Sequence, residues 1–225
     1  MPQKLIIWDF DGVISPTENI WISMWSDYLK HNYNLNLTKE QEDYFLRGTS
    51  VFTKVERLNK EFNLGLDDTD ISKALSIQER IIEEEGLEIT KDIKDIFQDQ
   101  NFYHCIATGG VRKSSIKKIA SLNLENIFSI ENKTLFTADM VEKGKPAPDL
   151  FLLASKTCGY APEHCFIIED SIAGITAGVA ANIKTFGFTK YDHNPDKTKQ
   201  EMLSIGAEKV FDDMKLIHQH LKSLL

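Results

Sequence analysis

Cysteines and long apolar runs are scarce in this 225-residue chain. The three cysteines are odd in number, and Cys105 and Cys165 lie within apolar runs, so we interpret them as packing thiols of a reducing compartment. No apolar run reaches the roughly 18 residues that a membrane-spanning helix needs. The N-terminus also lacks the basic-then-apolar layout of a signal peptide. We therefore expect a cytoplasmic protein with no membrane partner.

Basic residues are outnumbered, with 26 Lys and Arg against 34 Asp and Glu and a formal net charge of -8. This balance argues against a nucleic-acid partner, because such proteins rely on a broad basic surface. An anionic substrate stays possible, since a metal ion and a few lysines can reverse the field inside one cleft. The composition, 42% hydrophobic and 27% charged, is typical of a soluble globular protein.

The clearest feature is an apolar run at residues 5–8 that leads directly into Asp9, Asp11 and Gly12. Such a run is typical of a strand buried on both faces, and charge at its end needs a reason. Two carboxylates this close repel one another unless a cation lies between them or one keeps a proton. A surface turn is the alternative, because Asp and Gly are common in turns.

After residue 90, apolar strand-like segments alternate with amphipathic helical segments. The alternation predicts an α/β fold, with a Rossmann-like parallel sheet core and helices on both faces. Ligands of such sheets bind beyond the carboxyl ends of the strands. Three predicted strands end in polar groups, namely Asp9 with Asp11, Thr108, and Glu169 with Asp170. That coincidence favours a functional site over a surface turn.

Between residues 16 and 87 the sequence has helical periodicity and no convincing strand. Ser15 and Glu18 form an S-x-x-E pattern with Pro16 between them, which predicts a capping box at the start of the first helix. We interpret this stretch as a separate helical unit. Its predicted helices cover residues 17–32, 38–46, 52–62 and 70–85.

Four short motifs occur in order along the chain. They are Asp9-Phe10-Asp11-Gly12-Val13, Thr108-Gly109, Lys145 in Gly144-Lys145-Pro146-Ala147-Pro148-Asp149, and Glu169-Asp170-Ser171-x-x-Gly174. With these motifs the chain resembles the haloacid dehalogenase-like hydrolases, a superfamily dominated by Mg-dependent phosphatases. The resemblance implies a Rossmann-like catalytic core of residues 1–15 and 88–225. It also implies that residues 16–87 are a mobile helical cap inserted after the first strand.

The resemblance assigns chemistry to the acidic motifs. Asp9 resembles the family's nucleophile, which forms an aspartyl-phosphate, and Asp11 resembles its general acid and base. Mg²⁺ would be held by the Asp9 carboxylate, the Asp11 backbone carbonyl and Asp170, with Glu169 nearby. A simpler role for Glu169 and Asp170 is to stabilise the N-terminus of the following helix, and both roles can hold.

The resemblance also implies a set of phosphate-binding groups. Thr108 and the Gly109 backbone N–H would hydrogen-bond the phosphoryl oxygens, although Thr-Gly-Gly also fits an ordinary turn. Lys145 would neutralise the phosphate and the crowded carboxylates. Lys143 competes for this role by position, but the Pro-x-Pro-Asp sequence that follows singles out Lys145.

Family caps supply substrate contacts by closing over the site and excluding water. The candidates here are Arg47, Gly48, Thr49 and Lys54, because a glycine between helical segments would let a loop reach toward the site. Since exposed basic residues are usually only solvated, an ordinary surface role is the alternative.

We therefore predict a Mg-dependent phosphatase that hydrolyses a small phosphorylated metabolite through an aspartyl-phosphate intermediate. A sugar phosphate or a phosphogluconate-like compound is the expected substrate. Asp11 favours phosphate esters over carbon–halogen bonds, since a departing halide needs no proton and an alkoxide does. We expect the protein to be a monomer or a weak dimer.

Two other functions stay open. A phosphosugar mutase of the beta-phosphoglucomutase type shares all four motifs, but such mutases generally carry a cap histidine close to where this chain has Trp21. A non-catalytic, Mg-binding regulatory module could also use an acidic cluster with a Thr and a Lys. Receiver-like modules of that kind lack the cap insert.

Overall fold

The structure, a computed structural model, describes residues 3–48 and 50–225. Within these residues, six strands form a parallel sheet in the order β3-β2-β1-β4-β5-β6. The predicted α/β fold with a parallel sheet is confirmed. The strands are β1 (Lys4–Trp8), β2 (Phe102–Thr108), β3 (Leu135–Thr137), β4 (Cys165–Glu169), β5 (Lys184–Phe188) and β6 (Lys209–Phe211).

Helices fill the connections between the strands and the long insert after β1. Among the helices of the described residues, none combines the length and the apolarity that crossing a membrane requires. The helices are α1 (Glu18–Tyr33), α2 (Lys39–Leu46), α3 (Val51–Phe62), α4 (Asp68–Glu85), α5 (Ile93–Phe97), α6 (Arg112–Ser121), α7 (Asp149–Thr157), α8 (Ile172–Ala180), α9 (Pro195–Ile205) and α10 (Met214–Lys222).

Alternate residues of β1 enter two hydrophobic clusters on opposite faces of the sheet. Ile6 and Trp8 pack in a cluster that includes residues of α5 and α10, whereas Leu5 and Ile7 pack in a cluster that includes residues of α7 and α8. All four side chains are fully buried. Burial on both faces explains why residues 5–8 of β1 are continuously apolar rather than alternating.

Strand β1 pairs with β2 on one side and with β4 on the other. The chain runs outward from β1 to β3, then crosses back to β4 and continues to β6. The direction therefore changes between β1 and β4, and ligands of parallel sheets bind in the crevice beyond such a pair of strand ends. Asp9 follows β1 directly, and β4 ends at Glu169.

Helices α1–α4, called the helical unit below, enclose a hydrophobic cluster of their own that includes Trp25, Leu29, Leu46 and Leu58. The four predicted helices are therefore present, with starts and ends that differ by at most two residues from those predicted. Because this cluster is distinct from the two that flank the sheet, the helical unit packs largely within itself.

The predicted capping box at Ser15 and Glu18 is wrong. Helix α1 begins at Glu18, and the Ser15 hydroxyl instead donates to the Glu88 carbonyl at 2.6 Å. The Glu18 carboxylate accepts the Gly48 backbone N–H, also at 2.6 Å. Both side chains form hydrogen bonds with residues distant in the sequence, and these tertiary contacts override the local preference for a helix cap.

Candidate active site

Asp9 lies directly after β1 and is paired with Lys145. The Lys145 Nζ is 2.5 Å from Asp9 Oδ1 and 2.7 Å from Glu169 Oε2. The side chains of Lys145 and Glu169 are 2% and 1% exposed, so this is an ion pair within the protein interior. Lys143 is exposed. The structure therefore brings Lys145, and not its competitor, to the ends of β1 and β4.

Negative charge is crowded at these strand ends. Burial raises the pKa of Asp9 well above its ordinary value, and the nearby Glu169 carboxylate raises it further. Burial also raises the pKa of Asp170, with added repulsion from Glu18 and Glu169. Burial opposes the charge of Lys145, but the Asp9 and Glu169 carboxylates outweigh that effect and raise its pKa. The repulsion expected between adjacent carboxylates thus extends over both strand ends.

Three of these carboxylates could hold a metal ion together. Asp9, Glu169 and Asp170 each offer one oxygen, and these oxygens lie within 4.8 Å of one another. Hard oxygen ligands are those that Mg²⁺ prefers. The three carboxylates also exceed the single charge of Lys145 by two, which one divalent cation would balance. The donor set therefore fits magnesium.

Two glycines leave room for these carboxylates. Gly12 has a φ of 88°, and a Cβ built there would overlap Asp170 Oδ2. A Cβ at Gly174 would overlap the Glu169 carboxyl carbon. A side chain at either position would displace a carboxylate of the cluster, so both motif glycines are needed for close approach.

Asp11 has a different set of partners. The Lys118 Nζ lies 2.8 Å from Asp11 Oδ1 and 2.6 Å from Oδ2. The Thr17 hydroxyl and the Trp21 indole N–H each donate to Oδ1 at 2.5 Å. Burial raises the pKa of Asp11, but the charge of Lys118 and these hydrogen bonds outweigh it and lower the pKa. The two aspartates thus lie beside two different lysines.

Lys118 was not identified from the sequence. It follows Lys117 in a basic helix, a pattern that is typical of a solvated face. A signal was nonetheless present, because Lys118 lies at helical spacing from Ser114 and Ser115 and directly before Ile119, and these residues form the buried face of α6. The sequence gives no signal for the contact of Trp21 either, because it cannot assign a partner to the indole N–H.

Thr108 and Gly109, at the end of β2, line the same cavity as Asp9 and Asp11. Thr108 is 1% exposed, and its Oγ1 accepts the Gly110 backbone N–H at 3.0 Å. A hydroxyl that accepts this bond keeps its own proton for donation. The structure therefore brings together the polar groups at all three of the predicted strand ends.

Lys54 is the predicted specificity residue that reaches this cavity. Its side chain is buried on α3 and lines the cavity opposite the strand ends, together with Glu18. Burial lowers the pKa of Lys54, and the nearby Glu18 carboxylate only partly offsets that effect. Lys54 is thus not the solvated surface residue that the alternative interpretation required.

Arg47 and Gly48 do not line this cavity but lie beside the fourth motif, since Arg47 shares a second cavity with Asp170 and a Cβ at Gly48 would overlap Ser171. Arg47 lines a second cavity of about 480 Å³, where its guanidinium donates to Asp43 at 3.1 Å and to Asn19 at 3.0 Å. Gly48 contributes its backbone N–H to Glu18, as described above. Thr49 lies outside the described residues. Of this stretch, Lys54 therefore lines the cavity at Asp9 and Asp11, whereas Arg47 and Gly48 lie beside Asp170 and Ser171.

The cavity between the strand ends and the helical unit is small, with a volume of about 60 Å³. Its polar wall comes from the strand ends and α6, and its opposite wall is mostly apolar. A space of this size holds a few water molecules. The apolar wall includes Trp21, Met24, Trp25, Val51 and Leu75.

Comparisons with known proteins agree with this architecture. The family profile described as haloacid dehalogenase-like hydrolase matches residues 6–188. Hexitol phosphatase A of Escherichia coli strain K12 is 26% identical over 188 residues, which cover 80% of this chain and 81% of that protein. Fructose-1-phosphate phosphatase YqaB of the same strain is 27% identical over 180 residues, which cover 79% and 92%. The crystal structure of a hydrolase from Pseudomonas syringae has a TM-score of 0.82 at 23% identity, covering 98% of this chain and 99% of that one. The chain therefore belongs to the haloacid dehalogenase-like hydrolase family.

Proposed function

We propose that this protein is a Mg-dependent phosphatase that hydrolyses a small phosphorylated metabolite, with sugar and polyol phosphates as the leading class. The observation that carries the proposal is that Asp9 and Asp11 line one cavity, each beside its own buried lysine. Phosphoryl transfer needs a nucleophile, positive charge near the phosphoryl oxygens and a proton for the leaving group. These groups meet all three needs.

In this proposal Asp9 is the nucleophile. One of its carboxylate oxygens forms a bond to phosphorus while the ester P–O bond breaks, and the leaving oxygen takes a proton from Asp11. Water then attacks phosphorus, Asp11 takes a proton from that water, and the bond to Asp9 breaks to release phosphate. Thr108 and the Gly109 backbone N–H would orient the phosphoryl oxygens, and Lys145 would balance their charge.

Asp11 must carry a proton when the ester bond breaks, although its surroundings lower its pKa. An incoming phosphate brings negative charge next to Asp11, and a like charge nearby disfavours the ionised carboxylate. The substrate itself would therefore promote the protonated form. After the leaving group departs, the ionised form is the one needed to activate water.

Mg²⁺ would be held by Asp9, Glu169 and Asp170, with the Asp11 backbone carbonyl as a further ligand by family resemblance. When bound, the ion would supply positive charge to the phosphoryl oxygens and relieve the repulsion among the carboxylates.

We further propose that residues 16–87 are the mobile cap, and that residues 1–15 and 88–225 are the core. The two connections support these boundaries, because they lie side by side. The Thr90 backbone N–H donates to the Ile14 carbonyl at 2.8 Å, and its hydroxyl donates to the Val13 carbonyl at 2.6 Å. A cavity of about 60 Å³ is far below the roughly 300–1000 Å³ of ordinary ligand pockets, so substrate entry requires the helical unit to move.

The substrate class rests on the cavity walls and on the relatives. Lys54 and Glu18 provide a buried ammonium and a carboxylate that can bind the hydroxyl groups of a sugar or polyol, and the ammonium can also bind the carboxylate of a sugar acid. The names of two similar proteins, hexitol phosphatase A and fructose-1-phosphate phosphatase, agree with that chemistry. Trp21 supports hydrolysis over the mutase alternative, because its indole N–H, which donates to Asp11, does not titrate as a cap histidine would.

The test is a panel of phosphorylated sugars, polyols and sugar acids, assayed for released phosphate with MgCl₂ and with EDTA. We expect Mg-dependent release from at least one compound, and a loss of at least about 10⁴-fold in Asp9→Asn. No release from any compound would overturn the phosphatase and favour the regulatory module. Turnover that survives Asp9→Asn would overturn the nucleophile assignment alone.

A further inference from the structure

Lys118 is an unusual residue for a helix that packs against the sheet edge. Its side chain is only 2% exposed, yet it ends in an ammonium group that lines the cavity. Burying a charge is costly unless it is paired and hydrogen-bonded. Lys118 meets that requirement through Asp11, since its Nζ contacts both carboxylate oxygens.

The ammonium group is also held from its sides. It lies 5.5 Å from the ring centre of Phe10 and 5.0 Å from that of Trp21, within the range of cation–π attraction. Phe10 belongs to the motif between the two aspartates, and Trp21 belongs to α1. The position of Lys118 is therefore fixed by the strand end, by the helical unit and by Asp11 together.

The two oxygens of Asp11 have different surroundings. Among the described residues, Oδ1 accepts hydrogen bonds from Thr17, Trp21 and Lys118, whereas Oδ2 accepts one from Lys118 alone. Oδ1 is thus the anchored oxygen. Lys118 bridges both oxygens, so it fixes the rotation of the carboxylate about its own axis, which donors to Oδ1 alone do not.

We infer that Lys118 is a positioning residue, which sets the orientation of the Asp11 carboxylate so that Oδ2 faces the leaving oxygen of the substrate. This inference rests on the proposed function, in which the ester P–O bond breaks and the leaving oxygen takes its proton from Asp11. Lys145 pairs with Asp9 and Glu169. Lys118 is therefore the lysine that orients Asp11.

The effect of losing Lys118 should depend on the basicity of the leaving group. An oxygen that leaves easily as its anion gains little from a proton, whereas an alkoxide depends on one. Loss of Lys118 should therefore slow the hydrolysis of esters with basic leaving groups far more than that of activated esters. A role limited to folding or to phosphate binding would slow both alike.

The experiment compares kcat/KM of wild type and Lys118→Met on p-nitrophenyl, phenyl and benzyl phosphate, in order of rising leaving-group basicity. We expect a loss of about 100-fold on benzyl phosphate, the size of effect that a misplacement of about 1 Å produces, and of less than about fivefold on p-nitrophenyl phosphate. Lys117→Met is the matched control, because Lys117 is the adjacent residue and pairs with Glu79 and Glu83 instead. It should lower all three rates by the same small factor.

A double variant tests whether Lys118 acts through Asp11. In the Asp11→Asn background, Lys118→Met should cause no further leaving-group-dependent loss, because the group that it positions is gone. If Lys118→Met does not fold, Lys118→Arg carries the test, since its donors are displaced from the Nζ position and should give the same trend at smaller size.

Equal losses on the three esters, a similar trend in Lys117→Met, or full additivity with Asp11→Asn would each overturn the role of Lys118 while leaving the phosphatase intact. A wild type that hydrolyses none of the three esters and none of the metabolite panel would overturn the proposed function, and this inference with it.

Discussion

The two aspartates of the site are held by different parts of the molecule. Asp9 is paired with Lys145, which in turn contacts Glu169, and all three belong to the sheet and its loops. Asp11 is held by Lys118 from α6 and also by Trp21 from the helical unit. The ion pairs of the nucleophile therefore come from the sheet and its loops, whereas the partners of the acid also include a residue of the helical unit. Changes on the sheet side should affect every substrate, and changes on the helical side should discriminate among substrates.

On the sheet side the largest effect is expected from Lys145→Met. We expect kcat to fall about 100- to 1000-fold on every substrate, the cost of removing one preorganised electrostatic group. Lys143→Met, two residues away and exposed, should retain wild-type rates. Steady-state assays of both variants on two different phosphate esters check this. Equal rates in the two variants would show that Lys145 does not serve the reaction.

The sheet side should also be sensitive to acid through His104. This histidine lies on β2, where its Nδ1 accepts the Trp8 indole N–H at 3.2 Å, and burial lowers its pKa to about 4. In the unfolded chain the pKa of histidine is about 6.5, so the unfolded state takes up a proton first as the pH falls. Stability from this residue is complete above about pH 6.5 and is lost progressively toward pH 4.

We expect His104 to account for a loss of about 2 kcal/mol in the free energy of unfolding between pH 7 and pH 5. Urea titrations of wild type and His104→Gln at both pH values, without added metal, isolate this contribution, because other groups titrate alike in both proteins. The variant should lose less stability than the wild type on acidification. An equal loss in both would show that His104 is not held neutral in the folded protein.

On the helical side, Lys54→Met should raise KM about tenfold for the preferred substrate and leave kcat nearly unchanged. The reason is that Lys54 lines the cavity opposite the strand ends, where it meets the part of the substrate that does not react. Lys60→Met is the control, because Lys60 lies on the same helix and is exposed. A KM that stays the same for every substrate in Lys54→Met would exclude it as a specificity residue.

The smallest effect is expected where α4 of the helical unit meets α6. Glu79 lies 2.8 Å from Lys113 and 3.0 Å from Lys117, and Lys117 also lies 2.6 Å from Glu83. Partly exposed pairs contribute about 0.2–1 kcal/mol each, so Glu79→Gln should lower kcat/KM only about threefold. Added NaCl should reduce the difference from wild type by screening the pairs.

Glu84→Gln, an exposed change on the same helix, is the control for the α4 variant. It should match the wild type at every salt concentration. If Glu79→Gln and Glu84→Gln behave alike, the ion pairs do not stabilise the docked position of the helical unit.

From the sequence, the strand-end residues on the sheet side of the site could be grouped, whereas the helical residues that contact Asp11 could not. Asp9, Thr108 and Glu169 could be grouped because each ends a buried strand, and parallel strands end at one edge of a sheet. Lys118 and Trp21 lie on helices, where the periodicity fixes the buried face but not the group that it meets. Which helical residues meet Asp11 depends on how α1 and α6 pack against the strand ends.

The prediction of a capping box is also wrong because of contacts between distant segments. Ser15 and Glu18 have the right residue types and spacing, but each side chain is used in a contact with a distant segment. The prediction for Lys54 has the opposite outcome, because this residue does line the cavity. It was selected for the glycine-containing loop before α3, since its own sequence context does not distinguish it from a surface lysine. Local patterns therefore predicted the elements well, but apart from Lys54 they predicted contacts between elements only where the sheet topology fixed them.

The nucleophilic role of Asp9 is tested by identifying the phosphorylated residue during turnover. Wild-type protein is mixed with Mg²⁺ and a substrate, quenched in acid after a few milliseconds, treated with borohydride to reduce acyl phosphates, and digested for mass spectrometry. If Asp9 is the nucleophile, residue 9 should be recovered as the reduced product, homoserine, and Asp9→Asn should give none. Reduction at another carboxylate, or no reduced residue while phosphate is being released, would contradict it.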